Sequence, residues 1–260
     1  MRTGRLLLGT NWKMNKTIRE AVDYTRRLLE RLETLDGADA AQIFLIPPYT
    51  AIQAVKQTSD GRLWVGAQNM HWAECGAYTG EISAVMLAEL GVDLVELGHA
   101  ERRRYFHETD AEINRKVHTA LRHGFQALVC IGEQLEDKRR GNGLAIVRDQ
   151  VRTVFAGVDA DSASRLIVAY EPVWAIGAEQ ADIRMEYVRE IQDYIRATLD
   201  EIFGASAGTT VPVIYGGDVN LRNAAALVKE SGTDGLFIGR AALEAENFAA
   251  LIQASLKAIA

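Results

Sequence analysis

Cysteine is scarce in this sequence. There are two in 260 residues, Cys75 and Cys130, and they form neither a CxxC motif nor any metal-ligand spacing. A disulfide framework is excluded; one Cys75–Cys130 bridge stays open, with free thiols in a reducing cytosol the expectation. Positive charge is also short, with 29 Lys and Arg against 35 Asp and Glu for a net charge of −6. That balance argues against a nucleic-acid or anionic-membrane partner, either of which calls for a basic face. It also requires any anionic substrate to be captured by local positive groups, against the field of the whole molecule. No apolar run approaches the roughly 18 residues that suggest a membrane span. The segment Met1–Leu6 has no long apolar stretch before a cleavage site. A soluble, cytoplasmic protein is expected. No His, Cys and carboxylate cluster has ligand spacing, so no metal or organic cofactor is expected. No linker, low-complexity stretch or charge block marks a boundary, so residues 1–260 read as one domain.

What is present is ordinary globular composition, 48% hydrophobic and 25% charged, enough for a sizeable core. Short apolar runs alternate with helix-period segments from end to end. The predicted strands are Leu6–Asn11, Gln42–Ile46, Leu63–Ala67, Leu94–Leu97, Ala127–Ile131, Leu166–Tyr170, Val213–Tyr215 and Leu236–Ile238. Each is mostly apolar without alternation, as buried parallel strands are. Between them lie helical stripes such as Ile18, Val22, Thr25, Leu29 and Leu32, or Ile113, Val117 and Leu121 behind a capping box of Thr109 with Glu112. Gly124 is read as the close of that second helix. Ile183 to Ile202 makes another stripe, and Phe248 to Ile259 ends the chain on a helix. Eight β-then-α units in one series predict a single (β/α)8 TIM barrel rather than an open doubly wound sheet, and about 250 residues is the usual size of such a barrel.

In a barrel, the active site is built at the C-terminal ends of the strands. That rule selects Asn11-Trp12-Lys13, Gly98-His99-Ala100-Glu101, Cys130-Ile131-Gly132-Glu133, Glu171-Pro172, Gly216-Gly217-Asp218 and Gly239-Arg240. Lys13, His99 and Glu171 are therefore aimed at one mouth from three strands. A carboxylate base, an imidazole that polarises a carbonyl oxygen and an ammonium that stabilises an enediolate are the groups for moving a proton beside a carbonyl. Singly, each has a structural reading: a solvated lysine, a satisfied histidine, a rim ion pair. Their convergence favours chemistry. The glycines after strands seven and eight suit a phosphate, because backbone N–H groups approach an anion closely where no side chain intervenes. The competing reading is plain turn chemistry.

These segments, with Asn11-Trp12-Lys13-Met14-Asn15, Glu96 to Arg103, Cys130 to Glu133, Ala169 to Gly177 and Tyr215-Gly216-Gly217, resemble the triosephosphate isomerase family in order along nearly the whole chain. The resemblance implies Glu171 as the base, His99 as the neutral electrophile, and Asn11 and Lys13 as substrate-binding groups. In that family a glutamate base works with a neutral histidine under a closing loop. Here the resemblance further implies Glu101 as a second carboxylate near Lys13 and Cys130 as a structural neighbour of the base. Pro172 to Gly177 becomes the start of a lid, with the Gly177 N–H given to the phosphate. His99 precedes an apparent helix start, where the dipole disfavours imidazolium, and Pro172 holds Glu171 extended.

There are departures from the family pattern. Ala100 stands in place of a serine, Ala178-Glu179-Gln180 in place of the far lid hinge, Asp218 in place of a phosphate-loop serine and Arg240 in place of a glycine. Asp218, Gly239 and Arg240 are carried as candidate substrate-binding residues, with Asp218 and Arg240 read as a coupled pair. The leading expectation is interconversion of dihydroxyacetone phosphate and glyceraldehyde 3-phosphate. Gln68-Asn69-Met70-His71-Trp72 and Gly239-Arg240 are similar to a branch acting on erythrulose phosphate, which is the alternative. A weak or non-catalytic homologue with a binding role is the third reading. The loop 68–80 carries Met70, Trp72, Cys75 and Tyr78. The resemblance implies that it enters a partner subunit to form a homodimer, with Thr79 near the partner's Asn11–Lys13 region.

Overall fold

The strands of the computed structural model, which describes residues 4–176 and 183–259, close on themselves in sequence order. They are β1 (Leu6–Asn11), β2 (Ala41–Ile46), β3 (Trp64–Ala67), β4 (Leu94–Leu97), β5 (Gln126–Ile131), β6 (Leu166–Tyr170), β7 (Val213–Tyr215) and β8 (Gly235–Ile238). Every neighbouring pair is parallel, and β1 pairs with both β2 and β8, so no sheet edge is left open. This is the (β/α)8 barrel that the alternation of elements predicts. The strand bounds agree with those read from the sequence to within a residue at either end.

Strands buried on both faces still sort their side chains by period two. Leu7, Phe44, Ile46, Leu94, Leu128, Cys130, Ile167, Ala169, Ile214 and Phe237 form one cluster, the barrel interior. Their strand neighbours Leu6, Leu8, Leu45, Val95, Leu97, Val129, Val168, Tyr215 and Ile238 belong to a second cluster packed under the helices. The interior is filled to contact. A Cβ on Gly9 would fall 2.0 Å from the Phe44 ring, and one on Gly66 would fall 2.9 Å from Leu94. By the same parity, Asn11, Glu96 and Cys130 take inward positions near the strands' C-terminal ends, with Glu171 one step past β6. Sequence register thus decides which polar groups meet.

The helices start where the sequence supplies caps. Thr109 and Glu112 form the expected capping box on the helix Asp110–Arg122, and Gly124 follows its end at φ +79°. A second box, Thr17 with Glu20, opens the helix Ile18–Glu33. The long stripe beginning at Ile183 is helical from Met185 to Phe203, and the last helix spans Ala245–Lys257. Cys75 and Cys130 are both free thiols. No described helix is long and apolar enough to cross a membrane.

Candidate active site

A cavity of about 510 Å³ opens at the C-terminal ends of the strands. Asn11, Lys13, His99, Glu101, Glu171, Asp218, Gly239 and Arg240 all line it, and Cys130 lies buried just beneath. Gly177 and the hinge residues Ala178, Glu179 and Gln180 lie outside the described residues.

Lys13 is held from both sides. Its backbone N–H donates to Asn11 Oδ1 at 2.6 Å, and its carbonyl accepts from Gln68 Nε2 at 2.8 Å. It sits at φ +53°, a left-handed conformation that costs a non-glycine residue on the order of 1 kcal/mol. The turn sends the side chain back over the barrel mouth, where Nζ lies 2.7 Å from Glu101 Oε1 and 3.1 Å from His99 Nε2.

His99 caps the short helix Ala100–Tyr105, its Nδ1 accepting the Glu101 backbone N–H at 3.1 Å. An Nδ1 that accepts leaves the ring proton on Nε2, facing the cavity. Burial, then the Lys13 ammonium 3.1 Å away, lower the His99 pKa to about 4. The ring is a neutral donor at physiological pH. Its 3.7 Å approach to Glu171 Oε2 is therefore not an ion pair.

Glu171 follows β6, and its N–H donates to Ile131 O at 2.7 Å. Pro172 keeps the residue before it out of the helical region. The backbone then turns through Val173–Ala175, where the Trp174 indole donates to Glu133 Oε1 at 2.8 Å. Glu133, fully buried, also accepts from Tyr170 and Tyr187, anchoring the segment that follows Glu171. Around the base, space is tight. A Cβ on Gly216 would lie 2.8 Å from Glu171 Cγ, and one on Gly132 would lie 1.9 Å from Glu171 O. Gly216 makes room for the carboxylate and Gly132 for the backbone that carries it, roles that turn chemistry alone does not suggest. Glu171 Oε2 is buried with no hydrogen-bond partner among the described residues, in accord with alanine at position 100 where the family pattern has serine. Desolvation, then the Glu96 charge, push Glu171 up to about 8. A carboxylate so placed is a strong base. The Cys130 thiol, desolvated and facing both carboxylates, is pushed well above its usual value and is inert.

At the other end of the cavity, Asp218 Oδ2 accepts from Asn220 Nδ2 at 3.1 Å. Arg240 opens a short turn after Gly239 and is exposed. The Asp218 carboxylate is thus held by its own loop.

Two residues that line or support this site were given no role from sequence, Glu96 and Glu133. For Glu96 the signal was there, a lone carboxylate in the apolar strand Leu94-Val95-Glu96-Leu97.

The loop 68–80 divides in two. Asn69, Met70 and His71 are buried against their own barrel, whereas residues 74–80 are exposed. Tyr78 lies against His71, ring centroids 4.0 Å apart and planes tilted by 36°.

A family model described as triosephosphate isomerase matches residues 6–255. An L-erythrulose-1-phosphate isomerase from Mesorhizobium japonicum is 44% identical over 93% of both chains. A triosephosphate isomerase from Acetivibrio thermocellus is 39% identical over 94% of this chain and 96% of its own. Among solved structures, a triosephosphate isomerase from Bartonella henselae superposes with a TM-score of 0.85 at 31% identity, covering 96% of this chain and 98% of its own.

Proposed function

The chain belongs to the triosephosphate isomerase family and is an isomerase; from that premise we propose that it moves a proton between adjacent carbons of a four-carbon ketose phosphate, erythrulose phosphate. The observation that carries the chemistry is the meeting of Glu171, neutral His99 and Lys13 at one cavity. Glu171 takes the proton from the carbon beside the carbonyl. The Nε2–H of His99 donates to the carbonyl oxygen as negative charge grows there, and the Lys13 ammonium stabilises the enediolate. Asn11 and Glu101 hold Lys13 in place. The phosphate is received at the other end by the backbone of Gly216-Gly217 and Gly239, by Gly177, and by Arg240, with Asp218 shaping that loop. No metal or organic cofactor takes part in this scheme.

Two things support four carbons over three: the 44% identity to an isomerase of that name, and a carboxylate and a guanidinium lining the phosphate end. The second reading is the triose phosphate pair, supported by relatives of that name at 39% identity. Steady-state rates on L-erythrulose 1-phosphate and dihydroxyacetone phosphate, measured side by side, decide between them. A higher kcat/KM on the three-carbon substrate overturns the four-carbon assignment.

We also propose a homodimer through loop 68–80. Tyr78 and Met14 are 46% and 96% exposed in the single chain, and both are costly to leave in water. A fully active monomer in sedimentation at micromolar concentration overturns this.

A further inference from the structure

Glu96 is fully buried, on the inward face of β4, directly below the cavity. An ionised carboxylate in such a place is costly unless it is paired or hydrogen-bonded. Its Oε2 accepts from Asn11 Nδ2 at 2.7 Å, and its Oε1 lies 3.7 Å from Cys130 Sγ. Neither partner is a cation. An oxygen of Glu96, a nitrogen of His99 and an oxygen of Glu171 lie within 4.8 Å of one another.

Two consequences follow from that placement. The first is mechanical. Asn11 spends its amide on Glu96 and its carbonyl oxygen on the Lys13 N–H, so Glu96 orients Asn11, and Asn11 secures the strained backbone of Lys13. The second is electrostatic. Two carboxyl groups this close, in a desolvated interior, do not both ionise freely, and their protons come off as those of a pair.

We propose that Glu96 is a positioning residue for the isomerisation: without touching substrate, it orients Asn11 and Lys13 and forms a coupled carboxyl pair with Glu171 that makes the base more basic. The inference rests on Glu171 being the base. Among the described residues, the charged and titratable groups facing the pair enter the balance, Tyr49 from the turn Tyr49–Ala51 included. Lys13, two residues past β1, attracts both carboxylates, and Glu101 from the helix Ala100–Tyr105 repels them. His99 is neutral, as is Cys130 from β5, while Arg102 and Arg103 lie farther off, with Arg103 donating to the Gly98 and Cys130 carbonyls. Burial raises both groups. For Glu171 the Glu96 charge comes next and raises it further, whereas for Glu96 the Lys13 ammonium comes next and pulls it back, so Glu96 stands raised to about 7 beside Glu171 at about 8.

The test separates charge from hydrogen bonding. Glu96→Gln keeps an oxygen for Asn11 and removes the charge; Glu96→Leu removes both. The measurement is the pH dependence of kcat and KM. Because the base must be ionised, kcat/KM rises with pH through the titration of Glu171, and lifting a neighbouring negative charge lowers that titration. In Glu96→Gln the acid limb is expected to move toward acid by about one pH unit or more, with KM near wild type. In Glu96→Leu the same limb shift is expected with KM raised about tenfold, because Asn11 and Lys13 lose their support. An unmoved limb in Glu96→Gln overturns the coupling, and equal KM values in the two variants overturn the positioning. If neither variant folds, infrared titration of the wild-type protein reads the pair directly. A protonated-carboxyl stretch should persist at pH 6 and vanish above pH 8, and its absence at pH 6 overturns the proposal. Loss of activity in Glu171→Gln together with an unmoved limb in Glu96→Gln rejects Glu96 alone. Retention of activity in Glu171→Gln rejects the base assignment itself.

Discussion

At the proton-transfer end of the cavity, Asn11, Glu96, Cys130 and Glu171 come from strands, or from the residue just after one, into an interior packed on every side. At the anion end, Asp218 and Arg240 stand on loops, partly or fully exposed, and Asp218 is held by a neighbour two residues away. Apart from Ala100, the first region keeps Asn11, Lys13, His99 and Glu171, on which the family resemblance rests, and the second departs from it at Asp218 and Arg240. Packing explains the contrast. In the interior, Gly132 and Gly216 leave no room for even one carbon beside Glu171, so a substitution there disturbs the base itself. A loop residue at a rim can change its charge and be answered by another rim residue. On the proposed function, chemistry sits on the rigid part and substrate choice on the part free to vary.

The hardest blow to this comparison falls on the base. Glu171→Gln keeps the shape and removes the proton acceptor. Loss of a general base costs about two to four orders of magnitude, so kcat should fall at least a hundredfold while affinity for a phosphate inhibitor is kept. A variant retaining more than a tenth of the wild-type rate shows that the proton-transfer end was misassigned.

A smaller effect is expected at the anion end. A carboxylate about 5 Å from a phosphate charge, at an effective dielectric of roughly 20, repels it by roughly 3 kcal/mol per charge pair. On the proposed function, Arg240 is the offsetting cation. In a double-mutant cycle on phosphate-ligand affinity, Arg240→Gly alone should weaken binding strongly, and adding Asp218→Ser should restore much of it. Additive effects within about 0.5 kcal/mol mean that the loops act independently and the contrast rests on His99, Lys13 and Glu171 alone.

The smallest expected change is no change. His99, lowered to about 4, should show no titration between pH 5 and pH 8 in imidazole NMR shifts, with its proton on Nε2 throughout. The sign is destabilising toward acid. The unfolded chain binds a proton near pH 6.5 that the folded ring refuses until about 4, so this contribution to stability is lost as pH falls through that window. A ring that titrates near neutrality would mean that the proton-transfer end is wetter than its burial indicates.

Sequence by itself determined the eight strands, their order, the cap at Thr109 and Glu112, and the three strand ends that carry Lys13, His99 and Glu171. Those are local signals: unbroken apolar runs, helical period, capping residues, and a polar residue where an apolar run stops. A neutral His99 was expected from its place at a helix start, but the causes that lower it in the fold, burial and then the ammonium of Lys13 86 residues away, are tertiary. Tertiary structure alone decided what lies across the barrel. Glu96 reads as one charge in an apolar strand until closure sets it beside Asn11, 85 residues away, and near Glu171. Gly216 reads as a turn residue until β6 and β7 bring it against the base. Met70 reads as part of an interface loop until folding buries it in its own barrel. The cause is common to all three. Each contact spans strands that are distant in sequence, and strand parity selects which side chains face inward, but only closure of the barrel selects which of them meet.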